Sequence, residues 1–432
     1  MFVSKSLSVN DKGHLTIGGA DTVDIAAQFG TPAYVIDEGL VRGKCAEFRE
    51  SLDKYYDGHG MCLYASKALC CKEICRIAAD EGIGIDVVSG GEIYTAYKAS
   101  FPMERVYFHG NNKTPDEIEL ALKTGVGRFV VDNVTELRLL SEICAKQGKN
   151  ADILLRIKPG IDAHTHSFIR TGQIDSKFGF ALETGEAFDA VKAAVSADNI
   201  NLVGLHCHIA SQVFEIRPFV EAAEVMLGFI KKIKSELSYE IDELDLGGGF
   251  GVPYTEEDER VSYLDFMRPV SEKIRGICGE DGLKLPKILI EPGRSVIAEA
   301  GITLYTVGAV KNIPNVRTYV SVDGGMGDNP RYILYQAKYT IECANKADKP
   351  KDMTVTVAGK CCESGDLIQE NAKIQQVQPG DVLAVLTTGA YNYSMASNYN
   401  RIPRPPVVLV KNGECRLAVR RETWEDVVSL DV

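Results

Sequence analysis

Leu63-Tyr64-Ala65-Ser66-Lys67-Ala68-Leu69 is the stretch from which the fold is read. Apolar residues lead into it, and a helical spacing follows at Leu69, Ile74, Ile77 and Ala78. Lys67 is therefore expected where a buried strand ends and a helix begins. From such a place a lysine reaches a pocket while its stem stays packed. Alone it reads as an ordinary solvated lysine. The rest of the chain changes that reading.

Outward from Lys67, apolar strands alternate with amphipathic helices. Strands are expected at Met61–Ala65, Ile85–Val88, Val106–Phe108, Arg128–Val131, Ile153–Ile157, Leu202–Leu205, Glu243–Leu246 and Ile288–Ile290. Helices are expected at Glu92–Ala99, Pro115–Thr124, Val134–Gln147, Thr184–Ser196, Pro218–Leu237 and Tyr263–Cys278. Eight alternations predict a (β/α)8 barrel of the TIM type. A doubly wound open sheet is the alternative, and no early G-x-G-x-x-G supports it.

After about residue 301 the helical period fades. Short runs replace it: Ile302–Lys311, Thr318–Val322, Met353–Val357, Asp381–Leu386, Pro406–Lys411 and Glu414–Val419. Turn residues such as Gly324-Gly325, Pro379-Gly380 and Asn412-Gly413 separate them. This predicts a mostly antiparallel β domain of sandwich or barrel type. Residues 1–36, with alternating segments at Leu15 to Ile17 and Ala33 to Ile36 around a helical stretch near Val23 to Phe29, are expected to join it. The expected domains are 37–301 for the barrel, and 1–36 with 302–432 for the β domain. No internal repeat, low-complexity segment or disordered linker interrupts them.

Composition narrows the function. The 432 residues carry a net charge of −12 without a basic run, which argues against nucleic acid or an anionic membrane as partner. A phosphate-bearing ligand would need a local pocket. Met1-Phe2-Val3-Ser4-Lys5-Ser6 does not read as a signal peptide, and no apolar run approaches a membrane span. Many of the twelve cysteines lie in apolar segments (Cys62, Cys75, Cys144, Cys278), where a free thiol packs as a small hydrophobe. Cys70-Cys71 and Cys361-Cys362 lack the spacing of a zinc site. A reducing cytoplasm is expected.

In such a barrel the C-terminal ends of the strands form the active face. Strand one ends at Lys67, strand two in Ser89-Gly90-Gly91-Glu92, and strand three in His109-Gly110-Asn111-Asn112-Lys113. Strand five ends in Lys158-Pro159-Gly160 and leads to His164-Thr165-His166. Strand six ends in His206-Cys207-His208-Ile209-Ala210-Ser211-Gln212. Strand seven ends in Gly247-Gly248-Gly249-Phe250-Gly251, and strand eight in Glu291-Pro292-Gly293-Arg294. Singly, each is a polar turn that any barrel needs; together they crowd one rim. The glycine run lets backbone N–H groups approach an anion. A helix start after strand eight would add donors at Gly293 and Arg294. His206 and His208, two apart on a strand, share a face, and His208 could stack on an aromatic ring. A lysine among these motifs suggests a Schiff base to pyridoxal phosphate. The rival is a zinc site of His164, His166, His206 and His208 in a hydrolase. No carboxylate joins these histidines at ligand spacing, and that reading leaves the glycines without a role; no metal is expected.

The motifs in combination resemble the fold-type III pyridoxal-phosphate decarboxylases, over about Tyr34 to Val410. They are Tyr64-Ala65-Ser66-Lys67, Asp86-Val87-Val88-Ser89-Gly90-Gly91-Glu92, His109-Gly110-Asn111-Asn112-Lys113, Asp162-Ala163-His164-Thr165-His166, Glu291-Pro292-Gly293-Arg294, Cys362-Glu363-Ser364-Gly365-Asp366 and Met395-Ala396-Ser397-Asn398-Tyr399-Asn400. Two positions depart: Ala210, where the family more often has glycine, and Lys158, where asparagine usually precedes the proline. Neither removes a reacting group. Within the family the match is to the branch acting on meso-diaminopimelate. That implies release of carbon dioxide to give L-lysine, the last step of lysine biosynthesis.

The resemblance implies roles. Lys67 would hold pyridoxal 5'-phosphate covalently, His208 would stack on its ring, and Glu291 would pair with the ring nitrogen. Ser211, Gly248, Gly249, Gly293, the Arg294 backbone and Tyr391 would hold the phosphate. Arg294, Arg331 and Tyr335, with Tyr391, would bind substrate, and Glu363 its distal amino group. Cys362 would donate the proton after carbon dioxide leaves. In the family Cys362 and Glu363 come from the partner subunit, which implies a homodimer with shared sites. The family's alanine racemases place an arginine where Glu291 stands, so the glutamate speaks for decarboxylation. A non-catalytic cofactor-binding protein of this fold tends to be a single barrel, and the β domain with Cys362-Glu363 argues against it. Arginine and ornithine decarboxylases act on substrates ending in a cation, which would not want Arg331 in the distal pocket.

Overall fold

The computed structural model describes residues 2–160, 175–259 and 261–432. His164, His166 and the rest of the Asp162–His166 motif lie outside the described residues. The chain forms two compact units. One comprises 45–251 and 261–293; the other comprises 1–44, 252–260 and 294–432. The short segment 252–260 thus belongs with the β unit, although in sequence it interrupts the barrel.

The first unit is a closed barrel. Its strands are Gly60–Ala65, Gly84–Val87, Val106–Phe108, Arg128–Val131, Ala151–Lys158, Ile200–Cys207, Glu243–Asp245 and Lys287–Ile290. Neighbours pair in parallel around the ring, and strand eight closes on strand one through Ile288 with Gly60 and Ile290 with Cys62. Near-continuous burial along these strands explains their unbroken apolar reading. Inside, Leu63, Tyr107, Val130, Leu154, Val203 and Leu289 form one buried layer. At the opposite end from the rim, Arg128 grips Glu243 through Nε at 3.2 Å and Nη2 at 3.0 Å, and the Tyr107 hydroxyl donates to the same carboxylate. That bidentate plug belongs to the floor of the barrel and serves stability.

Local signals set the helices between strands. Thr114 and Glu117 form a reciprocal cap on Pro115–Thr124, with proline at the first helical position. Asn133 accepts from the Glu136 N–H to start Val134–Gln147, and left-handed Gly148 ends it. The helix Glu38–Tyr56 does not show in the hydrophobic period, because Gly39, Gly43 and many charged residues blur it.

The second unit is a mixed, mostly antiparallel β structure. Its long strand Gly301–Ile313 pairs antiparallel with Arg317–Val322, Val382–Leu386 and Ala33–Asp37. Two pairings are parallel: Ala33–Asp37 with Val407–Lys411, and Arg317–Val322 with Met353–Ala358. Leu15, Ile17, Val35, Leu304, Leu386 and Val408 contribute to its core. Strands Ile341–Cys343 and Leu367–Ile374 are additions to the sequence expectation.

Candidate active site

Barrel strands carry polar side chains into the rim end. Asp86 comes from strand two, His109 follows strand three, His206 lies in strand six, Asp245 ends strand seven and Glu291 follows strand eight. All five are buried. His109 Nε2 stands 2.8 Å from Glu291 Oε1, and His206 Nε2 stands 3.4 Å from Oε2. Asp86 Oδ1 is 3.9 Å from His109 Nε2, and the two histidine rings meet edge-on at 4.9 Å.

Burial alone would raise the Glu291 carboxyl; His109 and His206 beside it outweigh that and hold the group well below the usual carboxylate range. Asp245 goes the other way, pushed up by burial and then by the Glu291 charge. The two carboxyls are thus driven apart, Glu291 toward its ionised form and Asp245 toward its protonated one. Burial pushes His206 down to about 4, so it is neutral at neutral pH.

His208 is fixed differently. Its Nδ1 accepts the Gly248 N–H at 3.2 Å, which leaves the ring proton on Nε2. Burial, then the charges of Lys67 and Arg156, drive it well below the usual histidine range. Lys67 lies on a single turn, Ser66–Ala68, directly after strand one, and its side chain is exposed between buried Ser66 and Ala68.

The glycine run is demanded by packing before any ligand is considered. A Cβ on Gly248 would meet the Glu291 carbonyl oxygen at 2.0 Å, and one on Gly249 the Ala210 carbonyl oxygen at 2.2 Å. Gly249 also has φ +105, which a side chain rarely tolerates. The Gly248 N–H is already engaged by His208. Ser211 is half-buried in the turn after strand six, and a short helix, Arg294–Ile297, begins right after Gly293.

Lys113, from the motif after strand three, is a clamp within the barrel. Its ammonium donates to the carbonyls of Gly110 (3.0 Å) and Val130 (2.7 Å) and to Glu136 (2.7 Å). Breaking such a buried pair costs about 3–5 kcal/mol, so its role is structural.

The β unit holds a second cluster. Arg294 and Arg331 each donate Nη1 to the hydroxyl of Tyr254, at 2.6 and 3.0 Å. Arg331 Nη1 also donates to Tyr339 at 2.9 Å, and Asn392 reaches the same phenol at 3.4 Å. The Arg294 guanidinium lies 4.8 Å from the Tyr391 ring centre. Arg331 is 7% exposed, and no carboxylate lies within ion-pairing distance of it among the described residues. Tyr335 shares its helix, Arg331–Tyr335, but is exposed. Cys362 and Glu363 occupy an exposed loop between strands Met353–Ala358 and Leu367–Ile374. Buried Asp366 pins that loop by accepting from the N–H groups of Cys361 (2.7 Å) and Met326 (2.6 Å).

Motif reading singled out Lys67, His208, Glu291 and Arg294, and the family resemblance added Arg331. Motif reading quoted Asp86 in the strand-two motif without giving it a role, and it missed Asp245, hidden inside an apolar strand run, and Tyr254, Tyr339 and Asn392, which carry no motif. The four-histidine zinc set is redrawn. His206 instead joins His109 and Glu291, with ligand atoms all within 4.8 Å of one another, a spacing that would also admit a cation. A pyridine ring nitrogen fits this place as well: Glu291 Oε1 is buried without a well-aligned hydrogen-bond partner among the described residues. A protonated ring nitrogen is the kind of donor such an oxygen lacks.

A parallel barrel with a rim lysine, a pinned histidine and a buried glutamate held below the usual carboxylate range suits a pyridoxal-dependent decarboxylase. The family model described as "Pyridoxal-dependent decarboxylase, pyridoxal binding domain" matches residues 38–298. The chain is 47% identical to the diaminopimelate decarboxylase of Bacillus subtilis, over 100% of this chain and 98% of that one. It is 48% identical to that of Halalkalibacterium halodurans, over 100% and 98%. The structure of the M. jannaschii diaminopimelate decarboxylase in complex with L-lysine superposes with TM-score 0.93 at 35% identity, covering 100% of this chain and 99% of that one. The chain belongs to the diaminopimelate decarboxylases.

Proposed function

We propose that this chain releases carbon dioxide from meso-2,6-diaminopimelate and leaves L-lysine, the last step of lysine biosynthesis, with pyridoxal 5'-phosphate as cofactor. The observation that carries the substrate is Arg331: a buried guanidinium with no carboxylate partner among the described residues, beside Arg294 and two phenols. Such a cluster wants an anion, and arginine reads a carboxylate in two-point fashion. The proposed substrate keeps an amino-carboxylate at the end that does not react. Lysine, arginine and ornithine present only a cation there, and leaving buried charge unpaired costs roughly 2–5 kcal/mol, about two to three orders of magnitude in selectivity.

When bound, pyridoxal phosphate supplies an electron sink for the pair left by departing carbon dioxide. The chain's residues do the rest. Lys67 would hold the cofactor through its amine, and His208 would lie against its ring. Glu291 keeps the ring nitrogen protonated, supported by its low carboxyl pKa. Ser211, Gly248, Gly249, Gly293, the Arg294 backbone and Tyr391 take the phosphate; Gly248 shares its N–H with His208. Arg294, Arg331, Tyr335 and Tyr391 orient the substrate. Glu363 accepts from its distal ammonium, and Cys362 returns a proton to the carbon that lost carbon dioxide.

Purified protein should release carbon dioxide from meso-diaminopimelate and form L-lysine in equal amount. Comparable rates on ornithine or arginine would move the assignment to a polyamine-type decarboxylase.

The active form is a homodimer with shared sites, and the chain works in the cytoplasm. The exposure of Cys362 and Glu363 supports the first reading. Twelve free cysteines support the second, and no helix among the described residues is long and apolar enough to cross a membrane. Mixing inactive Lys67→Ala protein with inactive Cys362→Ala protein should restore part of the activity, because a mixed dimer holds one intact site. No recovery, with subunit exchange shown independently, means the sites are not shared.

A further inference from the structure

We infer that Tyr254 is a positioning residue for substrate recognition: its one phenol oxygen holds Arg294 and Arg331 together as a single carboxylate-binding pair. The inference rests on the function proposed above, in which both arginines meet the substrate.

Two guanidiniums repel each other and do not converge without a cause. Here both Nη1 atoms point at the same oxygen, at 2.6 and 3.0 Å. A phenol oxygen has acceptor capacity for both. The Tyr254 ring adds a second attraction, with the guanidinium carbons 5.8 Å (Arg294) and 5.0 Å (Arg331) from its centre. Among the described residues, no acceptor takes the proton of this phenol.

Tyr254 is itself well held. Its N–H and that of Thr255 both donate to Asp258 Oδ2, at 2.9 and 2.8 Å. Its carbonyl accepts the Thr340 hydroxyl at 3.1 Å, beside Tyr339, the other phenol on Arg331. The segment is thus tied on both sides, and the phenol is 7% exposed. Burial alone would raise this phenol's pKa; the two guanidiniums outweigh it and lower the value. The contact therefore has an electrostatic share beyond shape.

Tyr254→Phe keeps the ring and its packing and removes only the shared oxygen. In the holoenzyme, KM for meso-diaminopimelate should rise about tenfold to a hundredfold, with kcat changed less than about threefold. Inhibition by L-lysine bound as product, with its ε-amino end at the reacting position and its carboxylate at the distal one, should weaken in parallel. Inhibition by cadaverine, which lacks that carboxylate, should not. An unchanged KM, an equal weakening by both amines, or a fall confined to kcat overturns the inference. An unaltered melting temperature separates the effect from a loss of fold. If the parent protein releases no carbon dioxide from meso-diaminopimelate, the proposed function falls first and this inference with it. If the parent is active and the variant keeps its KM, only Tyr254 is misassigned.

Discussion

Lys67→Ala is expected to abolish carbon dioxide release, lowering kcat by at least about three orders of magnitude, because the covalent anchor of the cofactor is lost. The protein should also lose its yellow colour and its sensitivity to borohydride. The fold should survive. Lys67 is exposed on a single turn, and the packing around it comes from buried Ala65, Ser66, Ala68 and Leu69. Removing its side chain opens no core cavity, so the melting temperature should stay within a few degrees. An ordinary surface lysine would give no change in any readout. A variant with normal turnover would remove the cofactor assignment.

Glu291→Gln is the next largest expected loss, about two to three orders of magnitude in kcat, with KM much less affected. Glutamine has the same shape and keeps the contacts of His109 and His206. What disappears is the negative charge, held in place at 2.8 Å from His109 and 3.4 Å from His206. A neutral partner cannot keep a ring nitrogen protonated, so the electron sink weakens while substrate recognition by the β-unit arginines remains. Asp245 cannot replace the lost charge, because burial by itself disfavours its ionised form. The absorbance of the bound cofactor should shift with the variant. A kcat within about threefold of the parent would mean that Glu291 is not the partner of the ring.

The barrel is legible because its strands are buried on both faces and read as apolar runs: the run expected at Val106–Phe108 is the strand Val106–Phe108. Lys67 and Glu291 are legible for a related reason, since each is the polar residue at which such a run stops. Asp245 sits inside the expected run Glu243–Leu246 and is masked by it, and Asp86, though part of a quoted motif, lies within the run Ile85–Val88 and carries no signal of its own role. The strand Leu367–Ile374 escapes notice because Gln369, Glu370, Asn371 and Lys373 break its alternation. Tyr254 is the hardest case. It follows a glycine run and a proline, where a turn residue is the natural reading. Its meaning needs Arg294, Arg331 and Tyr339 to converge on it, and no local pattern encodes convergence of distant segments. The same holds for the parallel pairing of Ala33–Asp37 with Val407–Lys411.

That last pairing bears on how the protein is made. The strand Ala33–Asp37 leaves the ribosome early, and Val407–Lys411 pairs with it from near the other end of the chain. At about 5–20 residues per second, synthesis separates the two by roughly twenty seconds to more than a minute. Gly301–Ile313, its other neighbour, also arrives only after all the barrel strands have been translated. Until Gly301–Ile313 is made, this apolar strand has neither pairing edge covered, and until Val407 it still has one bare, the condition in which chains join wrongly to one another. A message cut short before Val407 therefore yields a product whose β unit lacks one of the two neighbours of Ala33–Asp37.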